Sequence, residues 1–204
     1  MSEDSAPPAD EAEDSAAQDL SLMARIKAGD LAALETLIEA HQCRVIGTIA
    51  KMLGDEMDAE DIAQQVFIRV WKSAPRYEPT AKFTTWLFKI TRNLIFNEVR
   101  RRKRHPASSL DETVAAGDRP MQTIDRNAKA PDSTLLEAEM QSAIQCAIDA
   151  LPEAQRMAVI LRRYNDAPYE EIAEVLELTV PAVKSLLFRA RTDLRKKLRE
   201  YLDA

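Results

Sequence analysis

With 204 residues and 46% hydrophobic side chains, the chain can bury a core in one or two compact domains. Four glycines, 5% aromatics and no sustained apolar-polar alternation exclude a sheet-based fold and predict an all-α protein. The formal net charge of −6 speaks against a nucleic-acid ligand until its distribution is read: residues 1–24 hold seven acidic side chains and no basic one, whereas residues 92–104 hold six basic residues and residues 184–199 hold seven. An acidic whole thus conceals two cationic segments.

Residues 1–19 combine acids with Ser, Ala and Pro and offer little apolar surface to offset the entropy of ordering, so they read as a disordered acidic tail. The helical pattern starts at Leu20. Asp30 caps a segment in which Leu31, Leu34, Leu37 and Ile38 fall at helical spacing, Val45, Ile46, Ile49 and Leu53 continue the apolar face, and Gly54 ends it. After Asp58, carboxylates in the first turn favour the helix dipole, and Ile62, Ala63, Val66, Phe67, Val70 and Trp71 form a broad apolar band up to Pro75. Asp61, Gln64, Gln65 and Arg69 remain as a polar face, open to either solvation or partner docking. After a loop at 76–83, Thr84 offers a cap for a long helix, FTTWLFKITRNLIFNEVRRRKR. Phe83, Leu87, Ile90 and Leu94 point inward in it, while Trp86, Asn93, Asn97, Arg100 and Arg104 share one stripe. Amides and guanidinium groups beside a ring suit stacking and hydrogen bonding to nucleic acid, although Trp86 also fits a core position.

Residues 105–134 have scattered small polar side chains, three prolines and no periodicity, and read as a flexible linker. Helical pattern returns with Leu136, Met140, Ile144, Ala147 and Leu151. A further helix after Pro152 turns Met157, Ile160, Leu161 and Tyr164 inward. The stretch YEEIAEVLELTVPAVKSLLFRAR at 169–191 then reads as a helix-turn-helix. Ile172, Ala173 and Leu176 supply the first helix's apolar face, Leu178 plugs the turn, and Thr179 caps a second helix with Pro181 in its first turn. Val183 and Leu187 return an inward stripe and leave Lys184, Ser185, Phe188 and Arg189 outward, as major-groove reading requires. Glu177 occupies the turn where glycine would ease the backbone. Arg195, Lys196, Lys197 and Arg199 continue the helix with groups suited to phosphate.

Cys43 and Cys146 lack Cys-x-x-Cys spacing and clustered histidines, so both read as packed thiols, and neither a metal nor another cofactor is expected. His41 and His105 have no sequence partners, and no Gly-rich phosphate loop or Ser/His/Asp grouping suggests an enzyme. No leader-like or bilayer-spanning apolar run is present; the expected compartment is the cytoplasm, without membrane insertion.

Four stretches, DAEDIAQQVFIRVWKSAPRY at 58–77, FTTWLFKITRNLIFNEVRRRKR at 83–104, LPEAQRMAVILRRY at 151–164 and the helix-turn-helix at 169–191, occur in an order that resembles the bacterial sigma-70 factors. The likeness is to their small extracytoplasmic-function branch, which keeps the second and fourth sigma domains. The resemblance implies domain 2 at 20–104, a linker at 105–134 and domain 4 at 135–204. It implies that Asp61, Gln64, Gln65 and Arg69 grip the clamp of the largest subunit of core RNA polymerase. By the same likeness, Asn93, Asn97, Arg100 and Arg101 read and open the minus-ten element of promoter DNA, and Lys184, Ser185, Phe188 and Arg189 read the minus-thirty-five element. An anti-sigma protein that covers the polymerase-binding surfaces, and a monomeric free chain, are also implied. Leu186, where the family often has a basic residue, and Pro168, where Ser or Thr commonly caps the first helix, depart from the pattern.

Two other readings compete. A stand-alone helix-turn-helix regulator would use the same hairpin without polymerase and leave the 58–77 helix without a role. A DNA-processing enzyme would need a nucleophile, for which Tyr77 is the sole tyrosine in a suitable basic setting.

Overall fold

A computed structural model describes residues 9–54, 56–104 and 131–199, with side chains described over 14–54, 57–104 and 140–199. Among them are eight α-helices and no strand: α1 (Ala9–Lys27), α2 (Leu31–Leu53), α3 (Glu56–Ser73), α4 (Phe83–Arg104), α5 (Pro131–Asp149), α6 (Glu153–Tyr164), α7 (Tyr169–Leu176) and α8 (Val180–Lys197). A single 3₁₀ turn at Ala74–Arg76 follows α3, where Pro75 cannot continue the α-helical bonding. No helix among the described residues is long and apolar enough to cross a membrane.

Local chemistry sets several boundaries. The Asp30 carboxylate accepts from the Ala33 N–H at 3.2 Å and starts α2, and Gly54 ends it in the left-handed region at φ 74°. Carbonyls freed at the end of α2 are taken by cations: Arg156 donates to the Met52 carbonyl at 2.9 Å and Arg102 to the Leu53 carbonyl at 3.4 Å. Helix α4 begins at Phe83, so Thr84 lies inside the first turn rather than capping it. The Trp86 N–H reaches the Lys82 carbonyl instead.

Helix α1 extends to Ala9 and so enters the stretch expected to be a disordered tail; residues 1–8 lie outside the described residues. Sequence gave little sign of this because the anchor is a buried polar pair rather than an apolar run. Asp19 and His41 meet at 2.8 Å, both nearly inaccessible, and the His41 ring tilts against Phe83 with centroids 5.3 Å apart. His41 therefore has a partner after all. Leu22, Met23 and Ile26 then seal α1 onto the core.

The core is continuous through both halves of the chain. Leu37, Val45, Ile49, Val66, Val70, Leu87 and Ile95 from α2–α4 belong to the same buried cluster as Met157, Ile160, Leu161, Ile172, Val183 and Leu187 from α6–α8. Each large aliphatic group buried this way contributes about 1.5 to 3 kcal/mol. Several polar links cross between the halves. Asn165 donates to the Thr48 hydroxyl at 3.0 Å, Arg44 donates to the Asn165 carbonyl at 3.3 Å, and the Lys51 ammonium sits 4.3 Å from the centre of the Tyr164 ring. Tyr164, expected inside, is half exposed because that contact holds it at the rim. Both cysteines, expected to be packed, are exposed free thiols. The expected linker lies mostly at 105–130, outside the described residues; α5 starts at Pro131, a few residues inside its expected end.

Candidate nucleic-acid interface

The helix-turn-helix comprises α7, the residues Glu177–Thr179 and α8. Ile172, Ala173, Val175 and Leu176 are buried on α7, and Val183, Leu187 and Ala190 on α8, which fixes how the two helices cross. The Thr179 hydroxyl accepts from the Ala182 N–H at 3.4 Å and Pro181 stands in the first turn, so α8 starts where its capping residue dictates. Pro168 holds the N-cap position of α7 without a side-chain bond. Leu178, expected as the turn's apolar plug, is instead 40% exposed; Val175 and Leu176 fill the crossing before the chain reaches it. Glu177 adopts φ 57°, ψ 44°, and its N–H closes α7 onto the Ala173 and Glu174 carbonyls. The turn thus uses a left-handed conformation that favours glycine, with a side chain in place.

With Val183 and Leu187 turned inward, Lys184, Ser185, Phe188 and Arg189 are all exposed on the opposite side of α8, Phe188 by 71%. Leu186 is half-buried against the core and therefore does not belong to that outward row. Farther along, Arg195, Lys196 and Lys197 remain exposed.

On α4, the positions i, i+3, i+4 and i+7 bring Asn97, Arg100, Arg101 and Arg104 around a concavity of about 250 Å³. Three guanidinium groups and an amide converge there, a donor set that suits phosphate and base edges. The arginines are not equivalent. Arg101 grips Glu98 with two nitrogens, both at 2.7 Å, and Arg102 bonds Glu98 at 3.0 Å and also Asp58. The Glu98 carboxyl is held below the usual carboxylate range, chiefly by Arg101 and further by Arg102, against the opposing effect of burial. Part of the basic run is therefore neutralised within the protein, and Arg100 and Arg104 are left as its exposed ends. The i+3 and i+4 spacing of Glu98 to these arginines was present in the sequence and was the signal for it.

Asn93 is exposed on the same helix, with its Oδ1 accepting from two nitrogens of Arg92 at 3.1 and 2.6 Å. A guanidinium can only donate, so the acceptor end of the amide is spent on Arg92 and its NH₂ is the free end. Trp86 does not join this stripe. It packs half-buried against Tyr77 and Phe83, with centroids 4.9 and 5.9 Å away. The Tyr77 hydroxyl is buried without a hydrogen-bond partner, and burial, with the nearby Asp19 charge, pushes its pKa up. A phenol so placed is shielded from an incoming strand, so Tyr77 does not offer the tyrosine nucleophile that the DNA-processing reading would use.

Helix α3 buries Ile62, Ala63, Val66, Phe67 and Val70 and exposes Asp61, Gln64, Gln65 and Arg69. Ile68, half exposed in the middle of that polar face, was not singled out from sequence. An apolar group amid polar ones is a composition common to protein-docking surfaces.

Two family models match the chain, Sigma-70 region 2 over residues 37–105 and Sigma-70, region 4 over residues 141–194. Among curated proteins, the chain is 31% identical over 189 residues to the RNA polymerase sigma-H factor of Pseudomonas aeruginosa, covering 91% of this chain and 96% of that protein. It is 32% identical over 178 residues to the ECF RNA polymerase sigma factor SigW of Bacillus subtilis, covering 86% and 94%. The fold is similar to that of CnrH, solved in complex with the cytosolic domain of CnrY, at a TM-score of 0.66 and 22% identity over 90% of this chain and 98% of that one. It is also similar to the sigma factor RpoE of Bartonella quintana, solved with the anti-sigma factor NepR, at a TM-score of 0.61 and 21% identity over 81% and 96%.

Proposed function

Because the chain belongs to the extracytoplasmic-function branch of the sigma-70 family, we propose that it works as a two-surface promoter reader carried by core RNA polymerase. It is an alternative sigma factor: it binds core polymerase and directs promoter-specific initiation. It does so without catalytic chemistry of its own, which the polymerase supplies, and works in the cytoplasm. Its partners are core polymerase, promoter DNA and an anti-sigma protein.

In this reading residues 20–104 act as sigma domain 2 and residues 135–204 as sigma domain 4. Asp61, Gln64, Gln65 and Arg69 on α3, with Ile68 among them, dock on the clamp of the largest polymerase subunit. Asn93, Asn97, Arg100 and Arg101 engage the minus-ten element as it opens. An amide can bond a base edge only once that base is unpaired, and this contact offsets an unstacking cost of a few kcal/mol. Lys184, Ser185, Phe188 and Arg189 read the minus-thirty-five element in the major groove, with Arg195, Lys196 and Lys197 on phosphates.

The observation that carries the reading is the exposed row on α8, set by the buried Val183 and Leu187 behind it, in a chain that also presents the Asn97–Arg104 concavity. The test is transcription from a genomic promoter library by core enzyme with and without the protein, alongside co-sedimentation with core enzyme. Selective initiation and co-sedimentation are expected. Specific duplex binding by the free chain, with neither of those, would instead establish a polymerase-independent regulator.

A further inference from the structure

Beneath α1 lies a polar pair that no step of the proposed function uses. The Asp19 carboxylate on α1 and the His41 ring on α2 meet at 2.8 Å, with side chains only 6% and 5% exposed. A carboxylate can only accept, so His41 Nε2 carries the proton of this bond. The His41 ring lies 5.3 Å from that of Phe83, and Phe83, Tyr77 and Trp86 pack on one another with centroids 4.9 to 6.4 Å apart. Tyr77 and Phe83 flank the mostly exposed loop 78–82 that leads into α4. Helix α1 grips the base of that loop a second time, through Lys27, whose Nζ donates to the Tyr77 carbonyl at 3.4 Å. It also packs on the 3₁₀ turn and on α4 itself, so the start of α4 is clasped from α1 and α2 together.

Most of this clasp has no direction. The rings, and the seal of Leu22, Met23 and Ile26, gain from burial alone, and burial of apolar groups does not select one register over its neighbours. Tyr77 Oη in the cluster and Thr85 Oγ1 in the first turn of α4 are buried without a hydrogen-bond partner. The directional bond beneath α1 is therefore that between Asp19 and His41. Its effect reaches the reading stripe because α4 is held at two points. Arg102 pins the far end by bonding Asp58 and the Leu53 carbonyl, and Phe83 pins the near end within the ring cluster. Asn93 and Asn97 hang between them. A helix is a stiff rod that turns about 100° per residue, so a slip at the near end re-aims the whole stripe.

We propose that Asp19 and His41 are positioning residues for promoter opening: their bond fixes the register of α1 and, through Phe83 and Tyr77, aims the Asn93–Asn97 stripe at the strand being unpaired. A buried polar pair of this kind adds little net stability over an apolar pair of similar shape, and what it supplies here is register. The stripe's own role rests on the sigma-factor reading, and the test separates the two.

The measurement is open-complex formation by core polymerase with the full-length chain, on a promoter recovered from the genomic library. Permanganate oxidation of unpaired thymines reads it on the duplex and on a template already mismatched across the minus-ten element. Asp19→Leu is expected to slow duplex opening about tenfold, roughly the worth of one hydrogen bond, and the pre-melted template to restore most of the loss. Asp19→Asn keeps an oxygen that accepts from His41 Nε2 and should stay close to wild type. Asp19→Leu with His41→Leu leaves neither polar group buried alone, so the thermal midpoint should return near the wild-type value while opening stays slow. A purely structural pair would not give that split. Co-sedimentation with core polymerase should be the same for every variant. The positioning role is overturned if opening recovers in the double-leucine variant along with its midpoint. It is equally overturned if the Asp19→Leu loss is as large on the pre-melted template, or if Asp19→Asn is as slow as Asp19→Leu. A wild-type chain that neither binds core polymerase nor opens a promoter sinks the sigma-factor reading, and the positioning role with it.

Discussion

Single side chains carry the division of labour along the two basic segments. Arg189 projects from the exposed row of α8, whereas Lys197 lies at the end of the same helix, where phosphate contact is the accessible chemistry. Arg189→Ala should weaken promoter recognition by about 1 to 3 kcal/mol and relax sequence preference at one position, measured by competition between promoter variants. Lys197→Ala should weaken binding to all sequences alike and flatten the salt dependence. Identical behaviour of the two variants would remove the assigned roles. Glu177 combines a positive φ with a side chain that is 69% exposed. Glu177→Gly should relieve about 1 kcal/mol of backbone strain and raise the thermal midpoint by a few degrees, although the contact with Arg92 is lost.

At the level of elements, helix termini decide where each reading surface starts. Asp30 opens α2, and its carboxyl is held below the ordinary carboxylate range by Arg25, at 2.8 to 2.9 Å, and then by the Ala33 N–H. A depressed pKa in the folded state makes this contribution complete above the unfolded value of about 3.9 and lost as the pH falls through the folded value. Asp30→Asn should therefore remove part of the acid sensitivity of thermal melts below about pH 4 while leaving the curve near neutrality similar in shape. An unchanged acid limb would assign that sensitivity elsewhere. Helix α4 shows the same logic with a functional consequence. Its inward row Phe83, Leu87 and Leu94 fixes the rotation of the helix, and that rotation turns Asn93, Asn97 and Arg100 outward together.

For the molecule as a whole, the feature with the widest consequence is the core that runs unbroken from α1–α4 into α6–α8. A shared core makes the halves melt together, so the free chain should give one calorimetric transition whose calorimetric and van't Hoff enthalpies agree. Two resolved transitions in the free wild type would show that the halves fold independently in solution.

The all-α class, the helix-turn-helix from Tyr169 to Arg191 and the exposed rows on α3, α4 and α8 were legible in the chain itself, because apolar residues at helical spacing fix which face turns inward. Thr179, Asp30 and Gly54 marked their boundaries for the same local reason: a cap or a left-handed residue acts on its own few backbone groups. What the linear order could not convey was which distant groups meet. The Asp19–His41 pair that draws α1 onto the core and the row of charges between α4 and α7, Arg92 with Glu177 among them, each depend on residues far apart in the chain. Periodicity specifies a helix face, but only packing selects the face that meets it. Pairing between charges on different helices follows from that packing rather than from spacing.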